Sequence, residues 1–353
     1  MQPLFSLRKG SENIMSSTKQ KVIAVCGPTA VGKTKFAIEI AKRFDGEIVS
    51  CDSMQLYKYM DIGSAKPTPE EQAQAVHHLI DCIDPREPFS AAKYANLAKE
   101  SITDIAGRGK LPIVAGGTGL YLDGILYDLD FSRPPENPKR REELRVFADA
   151  HGNEALHQVL QEKDPQAAAH IHPNNVKRVI RAIEIAENGG RWRDFSGEPK
   201  RNPDYDILLI GLCRDRAELY DRINHRVDLL IQAGLVDEVR RLLQMGLKEE
   251  HISMKGIGYK EIIGYLNGEY PLDEAAELLK KNTPHFAKRQ MTWFRRYKDM
   301  HWVNISTYSS EEDCLTDLFR QVDALLVQPL SGSGPGTEGE KGGAPRAERK
   351  DTQ

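Results

Sequence analysis

Residues Gly27 to Thr34 match the phosphate-binding pattern G-x-x-x-x-G-K-[ST] at every fixed position. Glycines in this pattern allow a tight turn and a close approach of the backbone to a phosphate, and successive N–H groups then point at the anion. Lys33 adds a positive charge, and the Thr34 hydroxyl is a ligand for Mg²⁺, the expected cofactor. The residues predicted to hold a di- or triphosphate are Gly27, Pro28, Thr29, Ala30, Val31, Gly32, Lys33 and Thr34.

A carboxylate, Asp52, follows the strand-like run Glu47 to Cys51. In a parallel α/β sheet the carboxyl ends of the strands line the ligand crevice, and the glycine loop also begins at such an end. Asp52 is therefore expected near the phosphates, where a carboxylate acts as a magnesium ligand or a general base. A capping or turn aspartate is the structural alternative. Ser53 and Gln55 add hydrogen-bonding groups to the same segment.

A second glycine-rich turn, Gly116 to Gly119, follows the run Leu111 to Ala115. Adjacent glycines allow a close backbone approach, and Thr118 brings a hydroxyl to the turn. This segment is interpreted as another wall of the same cleft, and a flexible turn is the alternative.

Basic residues occur in clusters, although the net charge of the chain is only −3. Arg178 and Arg181 lie three residues apart and share one helix face, which is either a solvated surface or a grip on a phosphate backbone. Arg222 and Arg226 can close on a pyrophosphate or pair with neighbouring aspartates. The segment 286–298 mixes Lys and Arg with aromatic residues, which suits nucleic-acid contact or an amphipathic helix.

The elements that carry these residues alternate between strands and helices. Predicted strands are Val22 to Cys26, Glu47 to Cys51, Leu111 to Ala115, Asp206 to Leu212 and Trp302 to Ile305, and the first helices are Lys33 to Arg43 and Ala91 to Arg108. Short apolar strands separated by helices favour a parallel sheet covered on both faces. Prolines bound a different region with helical spacing of apolar residues, in which helices are predicted over 139–151, 153–163 and 174–188.

The pattern predicts an α/β fold: a P-loop NTPase-like parallel sheet flanked by helices, with a helical insertion domain. The predicted divisions are a disordered N-terminal extension (1–20), the first part of the core (21–130), the insertion (131–202), a second, mostly helical part of the core (203–325) and a disordered tail (326–353).

Composition narrows the class of protein further. The chain of 353 residues is long enough for two domains or for one with a large insertion. No apolar run approaches the ~18 residues of a membrane span, and residues 1–19 lack the apolar centre of a signal peptide. The five cysteines show no metal-ligand spacing. A reduced, cytoplasmic protein is expected.

Six segments in a fixed order carry a resemblance to a known family: the glycine loop, Asp52-Ser-Met-Gln-Leu-Tyr57, Met60-Asp-Ile-Gly-Ser-Ala-Lys-Pro67, His77-His-Leu-Ile-Asp81, the run Arg108 to Tyr121, and Ala287-Lys-Arg-Gln-Met-Thr-Trp293. The set resembles the bacterial tRNA dimethylallyltransferases, also called tRNA isopentenyltransferases, over about residues 21 to 310. The resemblance implies transfer of a dimethylallyl group from dimethylallyl diphosphate to the exocyclic N6 amine of an adenosine. That adenosine lies 3′-adjacent to the anticodon, in tRNAs that read codons beginning with U.

The resemblance also implies residue roles. The glycine loop would hold the diphosphate of the prenyl donor, with Mg²⁺ at Thr34, and Asp52 would be the general base beside the catalytic residues Lys33 and Thr34. Arg222 or Arg226 would help the diphosphate leave. The residues implied to contact tRNA are Asp52, Ser53, Met54, Gln55, Thr118, Arg141, Lys177, Arg178, Val179, Ile180, Arg181, Lys255, Gly256, Ile257, Gly258, Tyr259 and Lys260.

Two departures from the family pattern concern the implied tRNA contacts. Lys177 stands where Gln is frequent, and Lys255 and Lys260 stand where Arg is frequent, which preserves charge but not bidentate geometry. The protein is expected to act as a monomer without an obligate protein partner.

Three other functions are open to a chain with this loop. A P-loop nucleoside or small-molecule kinase explains the loop and the sheet, but neither the insertion nor the basic clusters. An isopentenyltransferase acting on free adenine nucleotides shares the chemistry but has no need of a large insertion. A non-enzymatic RNA-binding P-loop protein has no use for Asp52 beside a complete donor site.

Overall fold

The computed structural model describes residues 19–127, 129, 137–190 and 200–327, and within them six parallel strands form one sheet. The strands are β1 (Gln20–Cys26), β2 (Gly46–Ser50), β3 (His77–His78), β4 (Leu111–Gly116), β5 (Tyr205–Cys213) and β6 (His301–Asn304), in the spatial order β3-β2-β4-β1-β5-β6. Every pairing between neighbours is parallel. The predicted parallel sheet is therefore confirmed.

Thirteen α-helices lie in the described residues: α1 (Lys33–Arg43), α2 (Pro69–Gln72), α3 (Ala91–Gly107), α4 (Gly119–Leu126), α5 (Pro138–His151), α6 (Asn153–Lys163), α7 (Pro165–His170), α8 (Val176–Glu187), α9 (Arg216–Gln232), α10 (Leu235–Gln244), α11 (Tyr259–Leu266), α12 (Leu272–Phe294) and α13 (Glu311–Val327). Short 3₁₀ turns cover Ser253–Lys255 and Ile305–Thr307. None of the helices in this described part is both long and apolar enough to span a bilayer.

Helices cover both faces of the sheet because successive strand residues point to opposite sides. Ile23 and Val25 of β1 pack in a buried cluster with α1 and α13. Their neighbours Val22 and Ala24 pack in a second cluster with α3 and α4. The central strand is therefore apolar at every position from Val22 to Cys26, as expected for a strand buried on both faces.

Helices α5 to α8 pack around an apolar cluster of their own, which includes Leu144, Leu156, Leu160 and Ile183. This group corresponds to the interior of the predicted insertion, whose joining segments 130–136 and 191–199 lie outside the described residues. The helix Asn153–Lys163 has the predicted bounds, and α7 was not predicted. Its start carries the usual signals, because Asp164 caps it and Pro165 occupies its first turn.

A further apolar cluster joins α9, α10, α11 and α12 to the segment that follows β2. Tyr57 and Met60 of that segment pack with Leu235 and Ile262. The second part of the chain therefore braces the loop that begins at Asp52.

The ends of the described chain differ slightly from the predicted boundaries. Strand β1 begins at Gln20 and α13 ends at Val327, so each predicted extension overlaps the described structure by one or two residues. The rest of both extensions, 1–18 and 328–353, lies outside it. Strand β3 was missed because two residues are too short to show a period.

Candidate active site

The glycine loop links the end of β1 to the start of α1, and its backbone needs unusual dihedrals. Gly27 has φ 150° and Gly32 has φ 114°. A Cβ atom at Gly27 would lie 2.5 Å from the carbonyl oxygen of Leu212 on β5, so only glycine fits there. Because α1 begins at Lys33, the loop presents a helix N-terminus to the crevice at the carboxyl edge of the sheet.

Three cationic side chains bind carbonyl oxygens of this loop. Lys33 Nζ donates to Pro28 O at 2.8 Å, Arg222 Nε to Ala30 O at 2.9 Å, and Arg214 Nε to Val31 O at 3.0 Å. The backbone N–H groups of residues 30–34 have no acceptor within the described part of the chain. A loop whose carbonyls are engaged and whose N–H groups are available suits an anion.

Lys33 lies within electrostatic reach of Asp52 and Arg226. Burial lowers the pKa of Lys33 to about 8; Asp52 opposes this shift, and Arg226 adds to it. Burial and the neighbouring Arg222 also lower the pKa of Arg226 from its ordinary value. Lys33 and Arg226 each lie near another cation and are removed from water. A bound anion is therefore favoured, because it offsets both the repulsion between the cations and the cost of burying them.

Arg222 and Arg226 do not form the aspartate pairs that the sequence left open. Asp228 instead binds Lys280, with a distance of 2.9 Å between Nζ and Oδ1. No ion pair of either arginine occurs among the described residues. Neither positive charge is therefore neutralised by a described carboxylate, and both are available to an anion in the crevice beside the glycine loop.

Asp52 lies two residues after the end of β2 and is half-buried. One carboxylate oxygen, Oδ1, accepts a hydrogen bond from the Met54 N–H at 2.9 Å, which is the contact of a turn aspartate. Thr118 binds the backbone on both sides of Asp52. Its N–H donates to Cys51 O at 3.1 Å, and its Oγ1 accepts from the Ser53 N–H at 3.0 Å.

The side chains that follow Asp52 are engaged within the protein. Gln55 Oε1 accepts from the Ser50 hydroxyl at 2.9 Å, while its Nε2 donates to Ala65 O at 3.2 Å. Met54 touches the turn at Gly256, where an added Cβ would come within 2.7 Å of the Met54 Cε. The predicted contact segments 52–55 and 255–260 therefore meet in space.

Lys255 and Lys260 are exposed, whereas the side chain of Tyr259 is buried. The Tyr259 hydroxyl donates to Glu238 at 2.9 Å, so the side chain of this predicted contact residue belongs to the core. Glu238 is 1% exposed and also accepts from the N–H groups of Asp61, Ile62 and Gly63, at 2.7 to 2.9 Å. Sequence reasoning missed Glu238, because an acidic residue in an amphipathic helix is usually a solvated one.

Two further residues were missed, and both bind the glycine loop. Gln290 Oε1 accepts from the Thr29 N–H at 2.9 Å, and its Nε2 donates to Gly117 O at 3.0 Å. Arg214, which binds Val31 O, is neutralised by Glu218 and by Glu311. Only the position of Gln290 inside the segment Ala287 to Trp293 pointed to it.

The insertion carries a basic groove lined by Arg141, Arg145, Lys177, Ile180 and Arg181. It brings together four of the predicted contact residues and adds Arg145. Beneath it Glu184, 1% exposed, binds Arg141 at 2.9 Å and also binds Arg181. Although burial raises the pKa of Glu184, hydrogen bonds from the Asn137 N–H and the two guanidiniums lower it below its usual value.

The remaining predicted contacts on α8 separate into two groups. Arg178 is exposed. Val179 is fully buried and Ile180 is 4% exposed, and both pack in the core of the insertion. Val179 lies on the helix face opposite to solvent, so its side chain is not expected to touch a ligand, whereas Ile180 also lines the groove.

Helix α12 packs its aromatic residues and exposes its cations. Phe294 is 1% exposed, and Trp293 lies against Gly119, where a Cβ would come within 2.0 Å of the Trp293 Cδ1. Lys288 and Arg289 of the helix and Arg295, which follows its last residue, are exposed. The aromatic residues therefore hold the Gly116 to Gly119 turn, and the basic face of α12 remains for an anion.

Comparison with known proteins identifies the family. A family model described as IPP transferase matches residues 55–297, more than half of the chain. A tRNA dimethylallyltransferase of Alkaliphilus oremlandii is 52% identical over 296 residues, covering 84% of this chain and 95% of the relative. One from Acetivibrio thermocellus is 51% identical over 299 residues, covering 84% and 96%.

Solved structures give the same result. A tRNA isopentenylpyrophosphate transferase from Bacillus halodurans has a TM-score of 0.66 at 42% identity, covering 87% of this chain and 97% of that one. A eukaryotic dimethylallyltransferase acting on tRNA has a TM-score of 0.73 at 25% identity, covering 89% and 81%. The chain therefore belongs to the tRNA dimethylallyltransferase family, the IPP transferases.

Proposed function

We propose that this protein transfers the dimethylallyl group from dimethylallyl diphosphate to the N6 amine of the adenosine 3′-adjacent to the anticodon, in tRNAs that read codons beginning with U. Family membership supports the transfer of a dimethylallyl group to tRNA. One observation carries the assignment of the site: the glycine loop follows β1 and Asp52 follows β2 at the same edge of the parallel sheet, so a base and an anion cradle share one crevice.

The donor half of this site is suited to a leaving diphosphate. A primary allylic carbon ionises readily once the charge on its leaving group is neutralised. The N–H groups of residues 30–34, Lys33, Arg222 and Arg226 supply that neutralisation in a partly desolvated crevice, where such interactions are strongest. The loop thereby serves alkyl transfer, and no phosphoryl group needs to move.

The acceptor half of the site is the carboxylate of Asp52. The exocyclic amine of adenine is a poor nucleophile, so a base that accepts its proton as the C–N bond forms contributes about 10²–10⁴-fold. Oδ1 of Asp52 holds the turn through the Met54 N–H, and no partner of Oδ2 occurs in the described part of the chain. We assign proton removal to that second oxygen.

Magnesium fits the residues as a partner of the diphosphate. No group of three or more His, Cys, Asp or Glu side chains suited to a metal occurs among the described residues. Mg²⁺ is often held by one or two protein oxygens plus substrate phosphates, and the Thr34 hydroxyl at the start of α1 is such an oxygen. The ion would supply further neutralisation of the leaving diphosphate.

The acceptor tRNA is proposed to lie across the basic groove of the insertion, Lys255 and Lys260, and the exposed cations of α12. Phosphate contacts of this kind position a nucleic acid without reading its sequence. The target adenine must leave the anticodon-loop stack to reach Asp52, which is base flipping into the crevice. We propose that the protein acts as a monomer and, because its acceptor is tRNA, that it acts in the cytoplasm.

The test uses two synthetic anticodon stem-loops that differ at one base, with labelled dimethylallyl diphosphate as the donor. Adenosine 3′ to the anticodon should be labelled, and guanosine at that position should not. Free AMP should accept no label. Equal labelling of both stem-loops, or labelling of AMP alone, would refute the assignment of the acceptor.

A further inference from the structure

Gln290 of α12 connects the two halves of the proposed site. Its Oε1 accepts from the Thr29 N–H in the glycine loop at 2.9 Å, and its Nε2 donates to Gly117 O at 3.0 Å. The side chain is buried, with 6% of Gln290 exposed, and the two partners lie on different loops of the sheet edge. One amide therefore cross-links the diphosphate cradle to the turn that follows β4.

The turn that follows β4 also holds the backbone around Asp52. Thr118, the next residue after Gly117, donates its N–H to Cys51 O at 3.1 Å and accepts from the Ser53 N–H at 3.0 Å. These bonds hold the residues on both sides of Asp52. A continuous path of short contacts thus runs from Thr29 through Gln290, Gly117 and Thr118 to the general base.

The path is closely packed, so it has little freedom to absorb a change. A Cβ atom at Gly117 would lie 2.2 Å from Gln290 Nε2, so any larger residue there would displace the Gln290 amide from its hydrogen bonds. Two residues further along the turn, Trp293 occupies the corresponding space at Gly119. Helix α12 therefore holds the turn with two side chains three residues apart on one face.

We propose that Gln290 is a positioning residue that sets the distance and angle between the donor carbon and the amine held by Asp52. This inference rests on the proposed function. A misplacement of about 1 Å costs about 10²-fold in such a reaction, because the reacting atoms must start in near-attack geometry. Gln290 touches neither substrate in this scheme; it acts through the glycine loop and the Gly117 turn.

Loss of this alignment should change which nucleophile attacks the allylic carbon. When the amine is out of line, water attacks C1 of the donor instead. The bond from C1 to the diphosphate oxygen breaks, dimethylallyl alcohol and diphosphate form, and the remaining proton of the water goes to solvent. The ratio of alcohol to prenylated tRNA therefore reports alignment. A variant that is merely less folded loses both products together and leaves the ratio unchanged.

The experiment measures both products of single turnovers with labelled dimethylallyl diphosphate and saturating unmodified tRNA. Gln290→Met, which removes both hydrogen bonds, should raise the ratio of alcohol to prenylated tRNA at least about tenfold, as expected for lost alignment. Gln290→Glu keeps an acceptor for the Thr29 N–H and should give an intermediate ratio. Gly117→Ala disrupts the contact between Gln290 and Gly117 without changing Gln290 itself, and should raise the ratio as well.

The matched control is Gln232→Met, an equivalent substitution at the exposed end of α9, and it should keep the wild-type ratio. A wild-type ratio in both Gln290→Met and Gly117→Ala, with the wild-type protein prenylating tRNA normally, would overturn this inference alone. Failure of the wild-type protein to prenylate tRNA would refute the proposed function, and the inference with it.

Discussion

The protonation of Lys33 should control donor affinity within the physiological pH range. Burial lowers the pKa of its ammonium to about 8 in the free protein. A bound diphosphate favours the charged form, so binding should raise this pKa again and take up a proton. Donor affinity should therefore be greatest below pH 8 and should fall as the pH rises above it.

The size of this effect follows from the pKa of about 8. If only the protonated form binds well, the protonated fraction falls from about ten-elevenths at pH 7 to about one-eleventh at pH 9. The dissociation constant of dimethylallyl diphosphate should then rise about tenfold across this range, or about 1.4 kcal/mol. The donor itself stays ionised throughout, because the last pKa of a phosphate ester is about 6.

Isothermal titration of the protein with dimethylallyl diphosphate, without tRNA and at constant free Mg²⁺, measures both quantities. Two buffers of different ionisation heat should reveal uptake of about half a proton at pH 8. Lys33→Met should bind more weakly and lose the pH dependence. Lys35→Met is the matched control, since Lys35 is exposed on the same helix and pairs with Glu311, and it should keep the wild-type slope. A wild-type dissociation constant that stays level from pH 7 to 9 would contradict the assignment of Lys33 to the diphosphate.

Three further predictions concern the acceptor side and the scaffold. Asp52→Ala should keep tRNA affinity but lose about 10²–10⁴-fold in turnover, measured as single-turnover prenylation; a near-normal rate would remove Asp52 from the mechanism. Lys177→Ala combined with Arg178→Ala should weaken tRNA binding and lower the magnitude of the slope of log affinity against log salt by about 1 to 2. An unchanged slope would show that this helix face contacts solvent and not tRNA. Glu238→Gln replaces a buried carboxylate that accepts three backbone N–H groups, and should lower the free energy of unfolding by about 1–3 kcal/mol in urea titrations. Equal stability of that variant and the wild type would show that Glu238 does not hold the 61–63 loop.

Local patterns in the sequence were enough to identify the phosphate-binding loop and to place Asp52 at the same edge of the sheet. The phosphate pattern is contiguous and sits between a strand and a helix, so residues 27–34 could be identified without any tertiary information. Asp52 followed from one topological rule, since parallel strands end at the same edge of a sheet. The six-stranded parallel sheet bears out the premise of that argument.

The residues that hold the site together could not be predicted, because their partners are remote in sequence. Arg214 binds a carbonyl 183 positions away, and Gln290 binds an N–H 261 positions away. Glu238 binds Gly63 across 175 positions. A buried polar side chain resembles a surface one in the sequence, and only the fold reveals which backbone groups it satisfies.

One prediction could have been narrowed from the sequence itself. The contiguous segment Lys177 to Arg181 was assigned to tRNA as a whole, yet a helix can present only part of such a run to a ligand. The structure exposes Lys177 and Arg178 and buries Val179 and Ile180. Tyr259 is a harder case, because its burial depends on Glu238 and Gly63 from distant elements.

The proposed role of the P-loop in this protein is to hold the leaving diphosphate of a prenyl donor. It is tested most directly by giving the protein unmodified tRNA with either dimethylallyl diphosphate labelled in its five-carbon group or ATP labelled in its γ-phosphate. We predict that label from the prenyl donor enters the tRNA and that label from ATP does not enter tRNA or any nucleoside. Transfer of label from ATP, with none from dimethylallyl diphosphate, would contradict the account.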